Sequence, residues 1–215
     1  MIVSKKKTVT TLAEKIVRKM EVKGYKIFRR PGEKNIVYIE GGNKDGSVNS
    51  DEPNHFNDLR VVFAFDGNNS PVIEGIWDAT TEPGFHYTDR PMNPAGAARI
   101  AFGQYTAWAV GLHGYSDPHE ALVQVGLIKV YRDYNRDMIR TGDDIDEGMF
   151  GINQHWGYSH PADDIGTASA GCLVGRTREG HRAFMELIKS DPRYKADRDF
   201  IYTTAILDAA KVSQY

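Results

Sequence analysis

The single cysteine of this 215-residue chain, Cys172, closes a Ser169-Ala170-Gly171-Cys172 run, and His155 precedes it with sixteen residues between them. A lone thiol has no disulfide partner within the chain, which leaves inert packing or chemistry. Small residues lead into it, and Gly171 lets another backbone come close to the sulfur. A neutral thiol is a weak nucleophile, and an imidazole that draws off its proton supplies the base it needs. The two residues thus read either as a nucleophile with its base or as a packed cysteine near an unrelated histidine.

Other side chains suggest other chemistries. Asp133, Asn135, Asp137 and Asp144 echo a calcium loop, but Met138 stands where the sharp turn needs glycine, and Asp144 where a bidentate Glu is usual. A polar hairpin loop accounts for them. His113, His119, His155 and His160, with Asp163 and Asp164, can be grouped as zinc ligands, yet no pair has i, i+4 spacing on a convincing helix and there is no His-Glu-x-x-His motif. Neither glycine-rich phosphate motif is present, which argues against a nucleotide enzyme. The expectation is a site with no metal and no organic cofactor.

Composition sets the frame around such a site. The chain is 40% hydrophobic and 26% charged, ordinary for a soluble globular protein. Its length suits one large domain, or one with a small appendage. No apolar run approaches a membrane span. Lys5, Lys6 and Lys7 give the N-terminus the positive start of a signal peptide with no apolar stretch behind it. We therefore expect no signal peptide, cytoplasmic synthesis, and release to the site of action by another route. Residues 1–34 carry eleven Lys/Arg against three Glu, an excess of +8, and the remainder carries −10. A basic arm on an acidic body can hold an anionic polymer. No zinc-ligand spacing or aromatic RNA-binding motif accompanies it, so no nucleic-acid partner is expected.

The elements that must position the thiol read as helix, strands, helix. Thr11 and Glu14 form a capping box, Val9, Leu12, Ile16 and Met20 share a helical face, and Gly24 is a natural stop. We take 1–34 as a basic helical appendage and 35–215 as the catalytic domain. Strands are predicted over 35–39, 59–65, 72–77, 121–125 and 127–131, the last two across Gly126. The Gly/Asn-rich stretch 41–57 reads as an exposed, mobile loop. A final helix starts near Thr177, turns Ala183, Phe184, Leu187 and Ile188 to the core, and ends at Asp191-Pro192. The class is mainly β with flanking helices, α+β.

Thr81-Glu82-Pro83-Gly84, then Gly151-Ile152-Asn153-Gln154-His155-Trp156-Gly157, then Ser169-Ala170-Gly171-Cys172-Leu173-Val174 follow one another along the chain. In this order and spacing the sequence resembles the YkuD-type L,D-transpeptidase family, bacterial enzymes that rework peptidoglycan stem peptides. The resemblance spans roughly residues 35–190, and its specific part is the His…Ser-x-Gly-Cys spacing. Two departures stand out: Ala170 occupies the place of the family's turn histidine, and the nearest arginine after the cysteine is Arg176 rather than a residue two positions on.

The resemblance implies an L,D-transpeptidase-like β-sandwich catalytic domain with Cys172 as nucleophile and His155 as base. A thiolate–imidazolium pair would attack an amide carbonyl and give a thioester acyl-enzyme. The Gly171 and Cys172 N–H groups would stabilise the oxyanion, and Ser169 would orient the turn or bind substrate. An amine acceptor then gives transpeptidation, a transferase reaction. Water gives L,D-carboxypeptidase or endopeptidase hydrolysis, as in a bacterial or phage-type lysis enzyme. Asn153, Trp156 and Arg176 are candidate substrate contacts. Tyr105 and Trp108 could join them, though core packing is the default for aromatic side chains. The implied partners are peptidoglycan stem peptides and, through the basic arm, anionic wall polymer. The competing function is a non-catalytic wall-binding or virion structural module with the same fold.

Overall fold

The computed structural model describes residues 10–140 and 142–215, so the Lys5-Lys6-Lys7 head of the basic arm and Val9 of the predicted helical face lie outside the described residues. In chain order the elements are α1 (Leu12–Val22), β1 (Asn35–Glu40), β2 (Asp58–Phe65), β3 (Pro71–Thr80), α2 (Phe85–Asp89), β4 (Ala97–Ile100), β5 (Gly103–His113), β6 (His119–Gln124), β7 (Ile128–Asp133), β8 (Asp144–Gly148), β9 (Gln154–Trp156), β10 (Leu173–Gly175), α3 (Arg178–Lys189), α4 (Pro192–Ala196), β11 (Tyr202–Asp208) and α5 (Ala209–Val212). This is a mixed α+β fold, mainly β-stranded, with two sheets and five short helices among the described residues.

Eight strands pair in the order β1-β11-β5-β6-β9-β10-β3-β2, and β2 returns to β1. The β1–β11 and β9–β10 pairs are parallel, and the rest of the ring is antiparallel. The first two strands are buried along their whole length, because both faces are covered. Alternate residues point in opposite directions. Ile36, Tyr38 and Val62 join one core with Trp108, Leu122, Leu173 and Phe184. Val37, Ile39, Val61 and Phe63 join a second core with Ile16, Val17 and Met20 of α1 and Val212 of α5.

Several expectations change here. The 41–57 stretch is exposed over much of 43–52, as expected, but its C-terminal end is tied down: Phe56 and Asn54 are buried. Asn54 accepts from the Phe85 N–H at 3.0 Å and donates to Asp164 at 3.0 Å. The two strands across Gly126 belong to different sheets, β6 to the ring and β7 to the three-stranded β4-β7-β8 sheet. In α3 the buried residues are His181, Phe184, Met185 and Ile188, whereas Ala183 faces solvent. A helical stripe centred one residue away from the predicted one explains the exchange. Asp133 ends β7 and Asp144 begins β8, and Asn135 and Asp137 lie in the connection between these two paired strands.

Candidate active site

The two three-residue strands β9 and β10 bring the candidate residues together. Gln154 lies opposite Leu173, His155 opposite Val174 and Trp156 opposite Gly175. One step back, the Leu173 N–H donates to the Asn153 carbonyl at 2.9 Å, and the Asn153 N–H points at the Cys172 Sγ at 3.4 Å. Since side chains alternate along a strand, Asn153, His155, Cys172 and Val174 share one face. Cys172 and His155 line a single cavity of about 600 Å³ with His113, Gly151, Ala98 and Ala170. The small β4-β7-β8 sheet supplies part of its wall through Ala97, Ala98 and Arg132.

The turn ahead of the sulfur is built from its own residues. Gly171 sits at φ +119°, and a side chain there would run into the Ala98 carbonyl, so glycine is required. Ser169 is buried; its Oγ accepts from the Gly171 N–H at 3.1 Å and donates to the Cys172 carbonyl at 3.0 Å. Ser169 therefore orients the turn. Because the Gly171 N–H is engaged, the Cys172 N–H, with no protein acceptor among the described residues, is the open donor of the expected pair. The Gly84 N–H donates to the Ser169 carbonyl at 3.0 Å, so the Thr81–Gly84 segment packs directly on the cysteine turn.

His155 is 2% exposed, and its Nδ1 lies 2.7 Å from the Trp156 carbonyl. A carbonyl only accepts, so Nδ1 carries the proton and Nε2 is left as the acceptor. Burial, and then the neighbouring His113, hold the imidazolium form far below its usual range. His113 stacks on His155 with centroids 3.9 Å apart and planes 12° apart. Burial also pushes the Cys172 thiol up to about 11, partly offset by the Asn153 N–H. The thiol donates to the Gly151 carbonyl at 3.7 Å, and no hydrogen bond among the described residues joins Sγ to an imidazole. The burial of both groups and the thiol's hydrogen bond to Gly151 favour a neutral thiol beside a neutral imidazole over the thiolate–imidazolium pair.

The remaining candidates have other positions. Asn153 orients His113 rather than His155: its Nδ2 donates to His113 Nδ1 at 2.9 Å and its Oδ1 accepts from the Gln124 N–H at 2.8 Å. Trp156 is buried, stacks on His119 at 3.7 Å and lies under Arg178. Arg176 lines a separate cavity of about 160 Å³ and faces Asp78 at 3.6 Å. Trp108 is a core residue whose indole donates to the Ile152 carbonyl at 2.8 Å, and Tyr105 packs against the same core. Of the sequence-derived histidines, His113, His119 and His155 form one aromatic cluster with His181.

Two participants escaped sequence reasoning. His181 reads as one polar residue on an amphipathic helix. Arg60 leaves a clearer trace, being the only charged side chain within the otherwise apolar run Leu59–Phe65. A metal-ligand geometry among the described residues brings Glu40, Asp51 and Glu82 within 4.8 Å of one another, but Arg140 already pairs with Glu40 and Arg99 with Glu82. Comparison with family models, with curated proteins and with solved structures finds no match to this chain.

Proposed function

We propose that this protein is a cysteine-dependent acyl-transfer enzyme of peptidoglycan stem peptides, with an L,D-transpeptidase-like catalytic domain. The observation that carries the reading is the placement of Cys172 and His155 on one face of adjacent parallel strands, at one cavity, with Nε2 of His155 left free by the Trp156 carbonyl. In the reaction the thiol turns from the Gly151 carbonyl towards Nε2. The S–C bond to the substrate carbonyl forms as the proton passes from sulfur to nitrogen. The Cys172 N–H faces the developing oxyanion. Collapse breaks the C–N bond, the proton moves from Nε2 to the leaving amine, and a thioester remains for water or an amine to resolve. Because both groups start neutral, base catalysis is coupled to attack and no ion pair forms beforehand.

A second reading, a wall-binding or structural module, draws on the high thiol pKa and the absence of a hydrogen bond between sulfur and imidazole. Turnover separates them. Incubated with disaccharide-tetrapeptide, the protein should release D-alanine to water or exchange it for an added D-amino acid. Cys172→Ser and His155→Ala should each abolish this, since members of one catalytic unit lose most of the rate singly. Folded protein with no product from several stem peptides would favour the module.

A further inference from the structure

Arg60, in the middle of β2, is wholly buried, and no carboxylate among the described residues pairs with it. A guanidinium taken out of water must be satisfied by other acceptors. Its Nε donates to the Tyr38 hydroxyl at 2.6 Å and Nη1 to His181 Nδ1 at 3.1 Å. Nη2 donates to the His155 carbonyl at 3.1 Å and the Leu173 carbonyl at 3.3 Å. The plane lies 4.3 Å from the Phe184 ring. Arginine only donates, so His181 Nδ1 accepts and its Nε2 carries the proton to the Glu120 carbonyl at 2.8 Å. Burial and the Arg60 charge keep His181 neutral, its imidazole held down to about 2. A side chain at Gly175 would collide with the same guanidinium.

One planar fork thus grips the carbonyl of the proposed base and the carbonyl of the residue next to the proposed nucleophile. These sit on two strands of only three residues each, so few ladder bonds fix their offset. Resting on the acyl-transfer reading above, we propose that Arg60 is a positioning residue that holds Cys172 and His155 in register by tethering the His155 and Leu173 carbonyls from inside the fold. Small displacements matter here: about 1 Å at a reacting pair costs on the order of a hundredfold in rate.

Arg60→Lys and Arg60→Met test this against Ile16→Ala, which removes buried contacts in the other core and serves as the control for lost stability. Each is compared by thermal melting, by kcat and KM on disaccharide-tetrapeptide, and by the iodoacetamide alkylation rate of Cys172 with and without His155→Ala. Folded Arg60 variants should lose about ten- to hundredfold in kcat with KM within about twofold. His155→Ala should slow alkylation in the wild type and have no further effect beside Arg60→Lys. Ile16→Ala should lower the melting temperature and leave kcat within about twofold. The proposal is overturned by a folded Arg60→Lys with wild-type kcat and alkylation, or by an equal kcat loss in Ile16→Ala. Failure of both Arg60 variants to fold would equally overturn it in favour of a purely structural part. If wild type turns over no stem peptide, the substrate assignment fails, while alkylation still decides the role of Arg60.

Discussion

At Cys172 the surroundings set the chemistry more than the residue type does. With the thiol pushed up to about 11 and His155 held low, Cys172 alkylation in His155→Ala should climb about tenfold per pH unit from 7 to 10. The wild type should react faster near pH 7 through the neutral base, with no step near about 6.5. A plateau already reached by pH 8 would mean a preformed thiolate and contradict the neutral-pair account. Asp51 gives a second test. Burial and then Glu40 raise its carboxyl to about 6, so the folded state binds this proton more tightly than the unfolded chain. The resulting stabilisation is present below about pH 4 and lost as pH rises through about 6. Asp51→Asn, at φ +48° where asparagine is tolerated, should stabilise the protein at pH 8 by about 1 kcal/mol after allowing for partial solvation. It should give no gain at pH 4, and urea unfolding at both values checks this. The Cys172–His155 pair was legible because its residue types and spacing are local. Arg60 and His181 were not, because only the closed set of strands brings them to the backbone of 155 and 173.

Elements were readable where one strong pattern dominates. The Thr11–Glu14 capping box forms as expected, and β1, β2 and β3 were found because they are rich in Val, Ile and aromatic residues. Strands β5 and β11 were missed: the first mixes polar and aromatic residues, and the second buries Thr203 and Thr204, so neither shows clean alternation. Yet β11 lies between β1 and β5 and is indispensable to the ring. The turn before Cys172 is the element most sensitive to a small change. Gly171→Ala forces a side chain onto the Ala98 carbonyl at a positive φ, and should reduce turnover by at least about a hundredfold. A folded Gly171→Ala enzyme with near-normal kcat would show that the turn does not set the position of the sulfur.

Across the whole molecule, α1 joins the fold through burial. Ile16 is 0% and Met20 1% exposed in the core that α1 shares with β1, β2 and α5. Lys34 pairs with Glu74 at 2.5 Å and Arg29 with Glu21 at 2.7 Å, so part of the basic excess is spent within the fold. Ile16→Ala should cost about 2–5 kcal/mol in urea unfolding, and deleting residues 1–23 should abolish soluble folded protein. Replacing Lys5, Lys6 and Lys7 by alanine should instead leave the melting temperature unchanged and weaken low-salt retention on anionic wall polymer. The most direct measurement of the central claim is the intact mass of the protein after incubation with disaccharide-tetrapeptide or a carbapenem. The account predicts one acyl group on Cys172, lost in Cys172→Ser and strongly slowed in His155→Ala. An unmodified mass in folded wild type, or an adduct that persists in Cys172→Ser, would contradict it.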